Sequence, residues 1–493
     1  MKSCKEDVVY QFPEAEDNLI ARTAVLAEFI GEFSPVALPA KVVGQTKALI
    51  IDTIAAAFAG VETKCAQITG QVAETLGGQA QASIIGCRKK TAFPLAGMVN
   101  AKLANALDLD DCYMNVAHFA PQTVFAALAC GEHNKISGKR LLAAVALGYD
   151  VAARICLSFN FWRIRRGLIS TLGSRQVYAA NIFAAAAAAA YALRLNSQKT
   201  LNAFGLAGHY APCLTRSIMT IAPYDEMNKY CDAGWSTFSG IMAGLFAAKG
   251  YLSTHYALDG RDGYAAVMGI EHCTPERLTE SLGKKWHVLD AAFKTHPCCK
   301  YVHLPLQLFS EMINEYKLGA GDIDKVQVYV RSSHAVGFGR QTLPKKSGMP
   351  FTHNIPYNFA QMIFRRKPNA QWHDEKYLTD KNVSAFMRKV FVVPYGDALT
   401  TGVEDVRQYG FPREIPARVE IKTRNLTLTR EAKRSKGDPW WPETRFTKND
   451  LWNKMQTGCE GKITRPAQKQ LFDALWCLGK ISDVSILGKL LRY

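Results

Sequence analysis

Seven consecutive alanines, Ala184–Ala190, are the feature that most constrains how this chain can fold. Alanine has the highest helix propensity and a very small side chain. A helix built from it can approach its neighbours closely on every side, so the run predicts a central helix in an all-helical bundle. The surrounding apolar stretch, Val177–Leu193, includes Asn181 and is too weakly hydrophobic to indicate a membrane span.

Apolar residues at helical spacing recur through the first 270 residues, where alternation with a period of two is almost absent. The predicted helices cover residues 20–33, 42–60, 66–76, 95–107, 119–130, 137–154, 179–193 and 237–249. Farther along, alternating residues predict strands at Lys325–Val330, Arg418–Lys422 and Leu426–Thr429, the last two as a hairpin. Further helices are predicted at 358–364, 383–390 and 466–491.

This change of pattern predicts a mainly α fold with an α+β part. We expect a large all-helical domain of residues 1–270, completed by a C-terminal helix at about 441–493, and a smaller α+β domain of residues 271–440. A chain of 493 residues, of which 48% are hydrophobic, is long enough to bury two such cores.

The net charge of +17 indicates a protein that attracts anions. Nucleic-acid binding would require clustered Lys and Arg with interleaved aromatic residues. The basic runs are short, at Arg88–Lys90, Arg163–Arg166 and Arg365–Lys367. The charge therefore favours a small anionic substrate over nucleic acid.

Thirteen cysteines are scattered through apolar segments without a CxxC pair or a zinc-like spacing. Such cysteines are typical of buried free thiols in a reducing compartment. The first residues, Met1–Asp7, lack the apolar core of a signal peptide. We therefore expect a soluble intracellular protein, cytoplasmic or mitochondrial, that holds no metal and does not insert into a membrane.

The segment Asp108–His118, called the acid loop below, places three acids and a histidine between two apolar segments, 95–107 and 119–130. Burying ionisable groups is costly unless they are paired or used chemically. The segment is thus either a catalytic cluster or the end of a helix followed by a solvated, capped turn.

Several stretches together resemble the MmgE/PrpD family, which includes 2-methylcitrate dehydratase and cis-aconitate decarboxylase. The motifs span the chain from about residue 25 to 480 and are ALDLDD at 106–111 with His118, Lys229 with Gly234 and Gly240, LDGRDG at 258–263, FKTHPCCKYVH at 293–303 and FTHNIPY at 351–357. The resemblance implies a helical domain, an α+β lid, a homodimer and no cofactor.

For the active site, the resemblance implies that Asp108, His118 and Lys229 line the cleft between the domains as catalytic residues. Four further positions are expected to bind substrate: Cys112, Arg175, Cys299 and His303. Cys112 stands where some decarboxylases have threonine, and Cys299 stands where some have histidine.

Two histidines common in the family are missing. The segment 170–176 contains none, and Ala233 replaces the other, four residues after Lys229. Arginines, including Arg175, cluster near the first gap.

Each of these residues has a simpler structural alternative. Asp108 could cap the following turn, His118 could be a hydrogen-bonded core histidine, and Lys229 could be a solvated surface residue. Cys299 and His303 could pack inside the lid. Asp110 and Asp111 could pair with nearby arginines.

The resemblance implies a cofactor-independent lyase for a di- or tricarboxylate. A base and an acid are needed to dehydrate an alkylcitrate-like acid, and Asp108 and His118 could supply both. The retained residues favour this dehydration. The alternatives are decarboxylation of cis-aconitate, which needs a stabilised carbanion and a proton donor, a recruited enzyme of secondary metabolism, and a catalytically inactive scaffold.

Overall fold

The computed structural model describes residues 21–171, 180–212, 227, 232–260, 262–270, 272–343 and 349–492. Its helices, numbered in chain order over these residues, are α1 (Arg22–Glu32), α2 (Ala40–Gly60), α3 (Lys64–Leu76), α4 (Phe93–Asn105), α5 (Ala120–Asn134), α6 (Gly138–Ser158), α7 (Asn181–Ala192), α8 (Ser197–Tyr210), α9 (Ala233–Ala248), α10 (Tyr264–Val267), α11 (Lys300–Glu315), α12 (Ser332–Phe338), α13 (Met349–Thr352), α14 (Ile355–Ile363), α15 (Lys381–Met387), α16 (Val403–Tyr409), α17 (Lys448–Cys459), α18 (Arg465–Trp476) and α19 (Ser485–Leu491).

The strands form two hairpins and one larger sheet. They are β1 (Ala82–Ser83), β2 (Lys90–Thr91), β3 (Trp162–Arg165), β4 (Leu168–Thr171), β5 (Ile323–Val330), β6 (Val390–Pro394), β7 (Ala417–Thr423) and β8 (Thr427–Ala432). The larger sheet has the order β6-β5-β7-β8, in which β5 is parallel to β6 and antiparallel to β7. The predicted hairpin at 418–429 is confirmed as β7 and β8.

The alanine-rich helix α7 lies at the centre of the helical part, as the sequence predicts. All its residues are buried, and it packs against α5, α6, α8 and α9. Its neighbours carry glycine at the closest contacts: a Cβ atom at Gly148 of α6 would lie 2.6 Å from the carbonyl oxygen of Ala184, and one at Gly240 of α9 would lie 2.5 Å from the Cβ of Ala185. Small side chains on both partners allow this approach.

The two large apolar cores among the described residues confirm the mainly α fold with an α+β part. The first is built from α1 to α9 together with the C-terminal helices α17 to α19. The second joins the sheet to α11, α14 and α15. The predicted domain boundaries remain a prediction, and Trp286, Val406 and Phe411 from the middle range pack into the first core.

Several elements differ from the sequence prediction. The hairpin β3–β4 lies inside the region predicted to be helical, Val390 begins strand β6 rather than ending a helix, and the C-terminal helix predicted at about 441–493 is divided into α17, α18 and α19. The short apolar run of β6 does not distinguish a strand from a helix by its period, and β6 is stabilised by parallel pairing with β5, which is distant in the chain. Only the folded chain brings these partners together.

Two helices, α2 and α6, are long and apolar enough to cross a membrane by length and composition alone. Both belong to the first core, and the most apolar 18 residues of α6 are all buried. Their apolar surfaces are therefore covered by protein. The intracellular location inferred from the sequence stays a prediction.

Candidate active site

The acid loop connects α4 to α5 and is anchored to the segment that leads into the lid. Cys112 and Ala292 exchange two backbone hydrogen bonds of 2.9 Å each. The loop turns sharply, with left-handed backbone at Asp108, Met114 and Asn115 (φ of 55°, 54° and 60°). Aspartate and asparagine tolerate this conformation better than most residues, which helps to explain a tight polar turn at this position.

Asp108 pairs with Lys294 in the interior of the protein. The Nζ atom of Lys294 donates to the backbone oxygen of Asp108 at 2.9 Å and also contacts the Oδ1 atom of its carboxylate. Both side chains are fully buried. Burial lowers the pKa of Lys294, but the charges of Asp108 and Asp110 outweigh that effect and raise it above its ordinary value, so the ammonium stays charged.

His118 lies between two carboxylates. Its Nδ1 atom is 2.5 Å from the backbone oxygen of Asp111 and 3.5 Å from Oδ2 of Asp110, whereas its Nε2 atom is 3.9 Å from Oδ1 of Asp108. Because a carbonyl oxygen only accepts hydrogen bonds, Nδ1 must carry a hydrogen. Nε2 is therefore the nitrogen that can gain or lose a proton, and it faces Asp108.

Asp111 caps helix α5. Its carboxylate accepts from the N–H groups of Ala120 (3.0 Å) and Phe119 (3.4 Å) and from the Tyr149 hydroxyl (2.8 Å). Burial, with the nearby charge of Asp110, raises the pKa of Asp111 to about 7. Among the described residues, no arginine pairs with Asp111, and its carboxylate caps a helix instead.

A cavity of about 550 Å³ lies between the two parts of the fold. It is bounded on the helical side by Ala106 and Leu107, the residues that precede Asp108, and on the lid side by Thr352 and His373. Its other described lining residues are Glu62, Thr63, Lys64, Cys65, Gln67, Met227, Ala370, Gln371, Asp374 and Glu375. The cavity thus adjoins the acid loop and gives a small molecule room to bind.

The lid contributes Cys299 and His353 to the same place. One ligand atom from each of them and a carboxylate oxygen of Asp108 lie within 4.8 Å of one another. Burial raises the pKa of the neighbouring Cys112, so this thiol stays protonated. The neutral thiol of Cys112 therefore lies near a buried ion pair.

His303 points into the lid itself. Its Nδ1 atom is 3.3 Å from the hydroxyl of Thr295, and its Nε2 atom is 3.2 Å from the backbone oxygen of Cys298. Burial and the neighbouring Lys300 lower its pKa well below the ordinary value. This arrangement matches the packing alternative considered for His303 more closely than substrate binding.

Spacing alone would allow a metal ion at two overlapping groups that share Asp108. The first contains Asp110 and His118, and the second contains Cys299 and His353. The ammonium of Lys294 already lies against Asp108 as a buried cation. A divalent ion bound to the same carboxylate would meet strong electrostatic repulsion.

The structure brings together Asp108, His118 and Cys299. Cys112 lies in the same acid loop, and its backbone is bound to that of Ala292. Lys229 and Arg175 lie outside the described residues. Sequence reasoning missed two members, Lys294 and His353. Both stand inside the stretches that resemble the family, so the signal was present, but nothing local marked either residue as a partner of Asp108.

Comparisons with known proteins agree with this architecture. The MmgE/PrpD N-terminal domain matches residues 24–274, and the MmgE/PrpD C-terminal domain matches residues 296–479. The chain is 25% identical over 312 residues to the cis-aconitate decarboxylase-like protein oryM of Aspergillus oryzae, covering 60% of this chain and 62% of that protein. It is 26% identical over 340 residues to a cis-aconitate decarboxylase of Aspergillus terreus, covering 64% of this chain and 66% of that protein.

A cis-aconitate decarboxylase of Homo sapiens is 25% identical over 279 residues, which cover 53% of each chain. The chain therefore spans less than two thirds of the length of each of these relatives. The two domain matches, in contrast, extend over most of the chain and meet near the junction of the two cores. This protein belongs to the MmgE/PrpD family.

Proposed function

We propose that this protein is a cofactor-independent lyase that removes carbon dioxide from a tricarboxylate of the cis-aconitate type. The observation that supports it most strongly is the buried cluster of Asp108, Lys294 and His118 beside a cavity between the two cores. Relatives named as cis-aconitate decarboxylases add weight to this reaction. The sequence alone favoured dehydration over decarboxylation. Here decarboxylation becomes the first candidate and dehydration the second.

In the proposed reaction, the bond between the departing carboxylate carbon and its neighbour breaks, and the electron pair stays on the neighbouring carbon. The carbanion is delocalised over the adjacent unsaturated carboxylate and takes a proton from Nε2 of His118. Solvent then restores the proton to His118. Asp108 holds the imidazolium by charge, and Lys294 keeps Asp108 ionised and oriented.

The remaining carboxylates of the substrate require cations. We propose Lys229 and Arg175 for this role, because an ammonium supplies a point charge and a guanidinium can grip a carboxylate with two parallel hydrogen bonds. The acidic residues Glu62, Asp374 and Glu375 lie along the same cavity and would repel a trianion. We therefore expect the substrate carboxylates to bind on the side away from these acids.

Dehydration of an alkylcitrate-like acid is the second candidate. The pairing of Asp108 with His118 across 3.9 Å favours it, since one group could remove a proton from carbon while the other protonates the departing hydroxyl as water. The same buried cluster can serve either reaction. The outcome depends on which substrate the cavity accepts.

Incubation of the purified protein with 13C-labelled cis-aconitate, 2-methylcitrate and longer alkylcitrates would test both reactions by NMR. Labelled carbon dioxide with a decarboxylated alkene supports the proposal. Formation of an alkene with all carboxylates retained supports dehydration instead. Asp108→Asn and His118→Gln should each lower the rate at least about 100-fold, whereas Asp473→Asn, at an exposed acid of α18, should leave it unchanged.

If neither substrate class reacts, a thermal-shift experiment distinguishes a binding protein from an inactive scaffold. A ligand that binds only the folded state raises the melting temperature. A scaffold would show no polycarboxylate-dependent shift in the natural protein or in either site variant.

We also propose that the protein forms a homodimer, as the family resemblance implies. Light scattering coupled to size-exclusion chromatography would measure the mass in solution. A mass close to 54.5 kDa, that of one chain, would contradict this proposal.

A further inference from the structure

A second lysine, Lys454 of α17, reaches the acid loop from the C-terminal part of the chain, and only 8% of its side chain is exposed. Its Nζ atom donates to the backbone oxygen of Leu109 at 2.7 Å and lies 2.5 Å from Oδ1 of Asp52 on α2. Leu109 is the residue between Asp108 and Asp110. Lys454 therefore contacts the peptide that links two carboxylates beside His118.

Lys454 and Lys294 hold consecutive carbonyl groups. Lys294 binds the backbone oxygen of Asp108, and Lys454 binds that of Leu109. Each ammonium also contacts one buried carboxylate, Asp108 and Asp52 respectively. Because Asp108 has left-handed backbone, these two contacts stabilise a turn that is uncommon for residues other than glycine.

The helix that carries Lys454 is held rigidly against α2. One turn beyond Lys454, a Cβ atom at Gly458 would lie 2.3 Å from the backbone oxygen of Ala55. This contact requires glycine, and it fixes the distance between the two helix backbones. The packing of the two helices therefore fixes the backbone position from which the Lys454 side chain reaches the acid loop.

Lys454 also affects the charge of the site. The charged groups near it are Asp52 on α2, Asp110 in the acid loop and Lys294. Burial and, to a smaller extent, the charge of Asp110 raise the pKa of Asp52 to about 6 against the opposing effect of Lys454. Loss of the ammonium would remove the cation that offsets the repulsion between these buried carboxylates.

We propose that Lys454 is a positioning residue of the active site: by holding the Leu109 carbonyl, it keeps the carboxylates of Asp108 and Asp110 in place on the two sides of His118. This inference rests on the proposed function. The residue would act through the acid loop, without touching the substrate.

Lys454→Met tests this directly, with Asp52→Asn/Lys454→Met as a second variant whose buried charges are balanced. We expect Lys454→Met to lower kcat at least about tenfold with KM changed by less than about threefold, because a displaced acid loop misplaces the proton donor. The double variant should recover thermal stability, whereas its kcat should stay low and the pH dependence of its kcat should differ from that of the natural protein. Lys469→Met, which removes an exposed lysine paired with Asp473, is the matched control and should behave like the natural protein.

An independent readout is the titration of the His118 imidazole by NMR in protein with labelled histidine. A shifted titration in both Lys454 variants supports the positioning role. A double variant with the natural kcat, pH profile and His118 titration would overturn it and leave the pair a role in folding alone. If no tested acid is turned over, the proposed function fails, but the His118 titration still decides the role of Lys454.

Discussion

The ammonium group of Lys294 and the carboxylate of Asp108 form an ion pair inside the protein, although 186 residues separate them in the chain. Asp108 belongs to the acid loop of the helical core, and Lys294 belongs to the segment that leads into the lid. Burying either charge alone would be costly, and each charge offsets the cost of burying the other. The pair therefore links the two parts of the fold at the place where the proposed chemistry occurs.

Replacing Lys294 should test how strongly this pair supports the fold. Lys294→Met leaves a buried carboxylate without its cation and should lower the free energy of unfolding by about 3–5 kcal/mol. Asp108→Asn/Lys294→Met removes both charges and should recover much of that loss while remaining inactive. Urea unfolding measures both effects. If Lys294→Met were as stable as the natural protein, the ion pair would not support the fold.

The stability of the protein should depend on pH through Asp111. This residue keeps its proton in the folded state up to about pH 7, whereas an unfolded aspartate loses it at about pH 4. The folded state binds more protons across this window, so the contribution of Asp111 to stability is present below pH 4 and is lost as the pH rises to about 7.

Asp111→Asn should flatten this dependence, since asparagine can still accept the N–H groups that begin α5. Urea unfolding at several pH values between 4 and 8 would measure the slope. The exposed variant Asp473→Asn should keep the natural slope. An Asp111→Asn protein with an unchanged slope would show that another group controls this pH range.

The close contact between α9 and α7 should make Gly240 sensitive to one added methyl group. A Cβ atom there would lie 2.5 Å from the Cβ of Ala185 and 2.7 Å from the backbone nitrogen of Ala186, so Gly240→Ala should destabilise the protein by about 1–3 kcal/mol. Gly44→Ala on α2 is the control, because a Cβ atom there meets nothing within 4 Å. That change should raise stability by about 0.5–1 kcal/mol through helix propensity. Thermal unfolding of the two variants would compare them, and equal effects would contradict the predicted contact.

Removal of divalent metals should not affect the site. Lys294 supplies the cation that Asp108 needs, so treatment with a chelator should leave both turnover and melting temperature unchanged. The measurement is activity and thermal unfolding with EDTA, followed by addition of Zn²⁺ or Mn²⁺. Activity that is lost with EDTA and restored by either ion would contradict this expectation and assign a metal to Asp108 and its neighbours.

Much of the helical architecture could be predicted from local patterns. The alanine run specified a central helix because small side chains and high propensity act within neighbouring residues, and the apolar spacing placed most of the other helices. The acid loop was recognisable because three acids and a histidine between two buried segments need an explanation. The resemblance to the family extended this reasoning to Lys229, and the arginine cluster near a missing family histidine added Arg175; the placement of both stays a prediction.

The sequence by itself thus determined the helical fold class, the buried central helix and the location of the acid loop. Only the tertiary structure decided which charges meet there: Lys294 with Asp108, Lys454 with Asp52 and the Leu109 carbonyl, and Asp111 with the start of α5. The same holds for the orientation of the His118 ring and for strand β6 beside β5. Helix propensity is a property of nearby residues, whereas the pairing of buried charges depends on groups that become neighbours only after the two cores have packed together.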